Sequence, residues 1–139
     1  MKESSKYFIY KDKKLVVEIL AGDTKSEIDE HINFKKTLAA DPDFDPKFDS
    51  IIDMRKTHLK SMNEIEATIK YYFNNAKQVP NLLAKRKCAL ITSTPDQVAA
   101  TYIYESFKEL PIDYKIFSTV EASLIWLGIN DFDTTIFDK

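Results

Sequence analysis

FDSIIDMRKTHLKSMNEIEATIKYY, residues 48–72, sets a short apolar run against a polar stretch and then an amphipathic one. The run SIID, Ser50 to Asp53, is β-branched and reads as a strand. Ser61 with Glu64 three residues on forms a capping box, the hydroxyl serving one orphan amide of the first turn and the carboxylate another. Beyond it Met62, Ile65, Ile69, Tyr72, Phe73 and Ala76 recur at helical spacing, opposite Asn63, Glu66, Lys70 and Asn74, which predicts a helix to about Val79. A buried strand handing over to a helix is the unit of a parallel, helix-covered sheet. Asp53, Arg55, His58 and Ser61 lie at that handover, and they are the candidate regulatory or docking residues.

The same start signal recurs at Thr24 with Glu27, Thr94 with Gln97 and Ser118 with Glu121. Pro95 suits a first helical position, Pro111 marks the end of the helix that begins at Thr94, and Gly128 is placed to cap the last one. Short apolar runs lie between the helical segments: LVVEIL (Leu15 to Leu20), SIID, CALIT (Cys88 to Thr92) and YKIF (Tyr114 to Phe117). YFIY, Tyr7 to Tyr10, precedes the first across the charged turn KDKK and reads as the outer strand of a hairpin. The expected fold is α/β: an N-terminal β-hairpin, then alternating helices and strands, in a mixed, mostly parallel sheet of about five strands with four helices. The chain reads as one domain, 1–139, with 129–139 as a C-terminal tail.

A chain of 139 residues buries enough surface for a core of its own. With 20 basic and 22 acidic residues interspersed, a formal charge of −2 provides no field favouring nucleic acid. Charges interrupt every N-terminal apolar run before it reaches the length of a signal core, and no stretch is long enough to span a bilayer, so a cytoplasmic protein is expected. Cys88, the single cysteine, reads as a buried small side chain in a reducing compartment.

Other constellations lead away from chemistry. Asp41, Asp43 and Asp45 match the opening of a calcium loop, but Pro46 and Ile52 stand where glycine and glutamate are needed. His31 and His58 are the only histidines and neither has ligand spacing, so no metal is expected. Two glycines, Gly22 and Gly128, leave no phosphate cradle, and no cofactor is expected. Asp53 and Thr92, each closing a strand, sit where a receiver carries its phosphoacceptor machinery. The acidic pair that would hold Mg²⁺ is missing after the first long strand, which ends in Leu20, Ala21 and Gly22 with Asp23 nearby. Asp53 therefore reads as a strand-end residue bonding loop amides.

The runs KKLVVEILAGDTKSEID, FDSIIDMR, KCALITS and YKIFSTVEASLIWL together resemble the small STAS-like proteins related to anti-sigma-factor antagonists, the SpoIIAA-like group, over about Lys14 to Gly128. The signatures are a strand ending in Gly22, a strand ending in Asp53, and a closing strand and helix finishing in Trp126 and Leu127. The resemblance implies a non-enzymatic module that docks on a protein partner or self-associates, with carriage of a small apolar or lipid-like ligand as the alternative. It also implies a phosphorylated serine switch near Ser61, although this chain reads LKSMNE there instead of the family's Asp-Ser motif. The hairpin residues Tyr7, Phe8, Ile9 and Tyr10, with Tyr71 and Tyr72 on the following helix, are the expected aromatic-rich docking surface.

Overall fold

The computed structural model describes residues 5–23, 28–58, 84–95, 97–99 and 111–138, with side chains at 5–21, 33–57, 84–95, 97–99 and 111–138. Five strands form one sheet in sequence order: β1 (Lys6–Tyr10), β2 (Leu15–Asp23), β3 (Asp49–His58), β4 (Arg86–Ile91) and β5 (Ile112–Phe117). β1 runs antiparallel to β2, and β2 through β5 are mutually parallel. The expected mixed sheet with an N-terminal hairpin is what forms. A 3-10 turn, Lys11–Lys13, closes the hairpin with Lys14 in the left-handed region, so Tyr10 sits opposite Leu15.

Period-2 alternation sorts each strand between two cores. On one face Leu15, Val17, Ile19, Ile51, Ala89 and Ile91 pack against Val120, Leu124 and Phe137 from the C-terminal segments. On the other, Leu20, Ile52, Met54, Cys88, Leu90 and Ile112 meet Phe34 of the Ile28–Ala40 helix. Both faces of the central strands are covered, which is why VVEIL and CALI read as nearly continuous apolar runs rather than alternating ones.

β3 departs most from expectation. It continues five residues past Asp53, to His58, because β2 itself runs on through a bulge between Ile19 and Ala21 and offers Ala21, Gly22 and Asp23 as partners for Lys56, Thr57 and His58. Asp53 therefore lies inside its strand rather than closing it. The polar stretch that reads as a handover to helix is ladder, its main-chain groups satisfied by the neighbouring strand.

The last helix, Val120–Leu127, is capped by Thr119, whose Oγ1 accepts from Ala122 N at 3.2 Å; Ser118, the expected cap, lies one residue outside. This start lets Val120 and Leu124, four apart, both reach the sheet. Gly128 ends the helix with φ 71°, as expected. Gly128 N donates to Ile125 O and Ile129 N to Leu124 O, the paired bonds of a Schellman motif. The stretch after it is more than a tail: Phe132, Ile136 and Phe137 pack on the first core, with Phe137 3% exposed inside the 3-10 turn Thr134–Asp138. Burying such a ring stabilises by about 1.5–3 kcal/mol.

At the Thr94 box, Gln97 N donates to Thr94 Oγ1 at 3.2 Å and the chain turns helical from Pro95. The helix expected from Ser61 and the Thr24 box fall outside the described residues, as do Tyr71 and Tyr72. Among the described residues no helix is long and apolar enough to cross a membrane.

Candidate functional site

In open parallel sheets ligands gather beyond the carboxyl ends of the strands, and Asp53 and Arg55 stand toward that end of β3. Two residues apart on one strand, they share a face, and a planar guanidinium there can lie flat against a carboxylate. Arg55 Nε donates to Asp53 Oδ1 at 2.9 Å and Nη2 to Oδ2 at 2.9 Å, while the Arg55 backbone amide adds a 3.1 Å bond to Oδ1. Asp53 is 1% exposed, and the Arg55 side chain is 31% exposed. The hydrogen bonds that Arg55 donates to Asp53 raise the Arg55 pKa, helped by the negative charges of Asp53, Asp138 and Glu121 and opposed by burial. Asp53 does bond a backbone amide, as expected, but that of Arg55 within the strand, and the guanidinium fork adds to it.

Gln97 ties the neighbouring end of β4 to the same place. Its Oε1 accepts from Ser93 N at 2.7 Å, one residue before the expected partner Thr94, and its Nε2 reaches Arg55 O and Thr57 O at 3.4 and 3.3 Å. Thr57 Oγ1 donates to Met54 O at 2.6 Å. Thr92 is buried, and its amide bonds Phe117 O across β4 and β5. Among the described residues, Asp53, Arg55, Thr57, Ser93 and Gln97 are engaged with one another or with nearby main chain. Of the four sequence candidates, the structure brings Asp53 and Arg55 together. His58 ends β3 with its side chain outside the described residues, and Ser61 lies outside them altogether.

A second polar cluster, not anticipated, sits on the opposite face under the Ile28–Ala40 helix. Lys35 Nζ donates to Glu18 Oε1 with both side chains almost wholly buried. Close by, Ser50 Oγ has no hydrogen-bond partner among the described residues. Burial pushes the Cys88 thiol up from 9.0 to about 11, against smaller opposing effects of Arg86, the Ser50 hydroxyl and Lys35. A thiol so held is not a nucleophile at neutral pH. One signal was available: a glutamate inside the run VVEIL, which a strand covered on both faces must bury and therefore pair.

The hairpin aromatics expected to form a docking surface are spent on internal contacts. Tyr7 meets Phe34 edge-on at 5.7 Å and donates its hydroxyl to Asp41 at 2.9 Å, and Tyr10 meets Phe132 at 4.9 Å. The Asp41 to Asp45 loop closes on itself, Asp41 accepting from Asp43 N and Asp45 from Lys47 N. Among the described residues no three His, Cys, Asp or Glu side chains are grouped so as to hold a metal ion.

No family model matches the sequence, and no curated protein does. Among solved structures, the chain is similar to an uncharacterised protein of the DUF3478 family with a SpoIIAA-like fold from Shewanella loihica PV-4. The two share 17% identity over 89% of this chain and 94% of that one, with a TM-score of 0.55. At that identity the likeness speaks for architecture: the chain has a SpoIIAA-like, STAS-type fold.

Proposed function

We propose that the chain is a non-enzymatic binding module that docks on a protein partner or on a second copy of itself. The observation that carries this reading is the closed fork at Asp53. Both carboxylate oxygens are taken by Arg55, so the group that a general base, a phosphoacceptor or a metal ligand would need is already neutralised inside its own strand. Gln97 and Thr57 are likewise bonded to backbone carbonyls. Among the described residues this end presents the outer side of a guanidinium, with Glu121 and Asp138 near enough to influence it. Such a surface is suited to recognition through charge and shape.

Beryllofluoride with Mg²⁺ tests the non-enzymatic part, since it mimics an acyl phosphate wherever an aspartate is free to form one. The amide signals of Asp53 and Thr92 are expected to stay where they are in two-dimensional NMR spectra. A shift confined to those residues and their neighbours would overturn the reading.

A further inference from the structure

We propose that the chain forms a two-fold homodimer by antiparallel pairing of β5 with β5 of a second copy, in a register centred on Tyr114. This deepens the binding-module reading by naming one partner and one surface. Among the described residues β5 is the last strand of the sheet, paired on one side with β4. An edge of this kind exposes main-chain donors and acceptors that a further strand can take up.

The parity of that edge follows from one bond. Phe117 O accepts from Thr92 N, beyond the end of β4, so the main-chain groups of Phe117, and by alternation those of Lys115 and Asp113, point toward β4. Those of Ile112, Tyr114 and Ile116 point outward. A second β5 running antiparallel can therefore bond only when outward residues face outward residues, which fixes the pairing to registers two residues apart.

Charge selects among them. Asp113 and Lys115 are both exposed and share a sheet face. Centred on Tyr114, the register sets Tyr114 against Tyr114, Ile112 against Ile116, and Asp113 against Lys115 on both sides of the axis. The two acid–base pairs fall at the positions without mutual main-chain bonds, where opposed side chains come closest. Moving the axis to residue 113 sets Asp113 against Asp113, and moving it to residue 115 sets Lys115 against Lys115; both oppose like charges. A lone lysine on an edge strand repels a second copy, but an aspartate two residues away turns that repulsion into attraction when the copy is reversed. Lys115 is also held in place, its Nζ 5.8 Å from the Phe117 ring and 5.9 Å from that of Trp126. The other edge, β1, carries only Lys6 as a charge in KYFIY and has no such self-complementarity.

Sedimentation velocity on the full chain, from low to several hundred micromolar, measures the dimer against the 16.1 kDa monomer. Lys115→Asp and Asp113→Lys each create two like-charge pairs and are expected to weaken dimerisation about tenfold, while the double swap restores it to within about threefold. Far-UV circular dichroism keeps loss of folding apart from loss of pairing, both positions being exposed. A wild-type chain that stays monomeric throughout, single variants that dimerise as tightly as wild type, or a double swap that fails to rescue would each overturn the β5 dimer. A monomer leaves the non-enzymatic reading standing, since that reading fails on the beryllofluoride shift instead.

Discussion

Two acid–base pairs lie on opposite faces of one sheet, and they differ in what surrounds them. Glu18 on β2 reaches Lys35 on the Ile28–Ala40 helix, joining two elements with both charges out of water. Asp53 reaches Arg55 within a single strand, with the carboxylate buried and the guanidinium side chain 31% exposed. The first pair specifies where a helix docks, because a shift of either element would strand a charge in the core. The second fixes no distant element. It neutralises an acid within the strand and turns the polar edge of an arginine outward. Similar chemistry thus serves architecture on one face and a surface on the other.

Removing Lys35 gives the largest expected effect. Lys35→Ala leaves Glu18 uncompensated, and urea unfolding should show a loss of about 3–5 kcal/mol, whereas replacing both partners with apolar residues of similar size should recover most of it. A small loss in the single variant would mean that Glu18 finds water or another donor, and the contrast between the two pairs would collapse.

The smallest effect separates adjacent residues at the last helix. Thr119→Ala should cost about 1 kcal/mol in the same assay because it removes the bond to Ala122 N. Ser118→Ala should stay within about 0.5 kcal/mol. The reverse order would restore Ser118 as the cap and shift the helix start beside Glu121, one of the charges acting on Arg55.

Much of this architecture was legible because local signals were strong. The β-branched runs locate β2, β3 and β4, and Gly128 and the Thr94 box mark helix ends where the structure has them. The length of β3 was not legible. MRKTH has no apolar periodicity, and it is strand only because β2 runs beside it, a pairing decided across the sheet. The pairing at the site is hidden for the same reason. With Asp53 taken as the strand end, Arg55 belonged to a loop; once β3 extends to His58, alternation puts the two on one face and the fork follows. The segment after Gly128 escaped notice because Phe132, Ile136 and Phe137 follow neither a helical nor a strand period, although they complete a core. The hairpin aromatics misled in the opposite direction, since composition alone does not tell a packed ring from a presented one.

A double-mutant cycle across Asp53 and Arg55, read by urea unfolding of Asp53→Ala, Arg55→Ala and the double variant, tests most directly whether the Asp53 carboxylate is already spoken for. A coupling of about 2 kcal/mol is predicted, in keeping with hydrogen bonds between charged groups whose acceptor is buried. A coupling within about 0.5 kcal/mol of zero would mean that Asp53 does not depend on Arg55 and stands free for chemistry, contrary to the account given above.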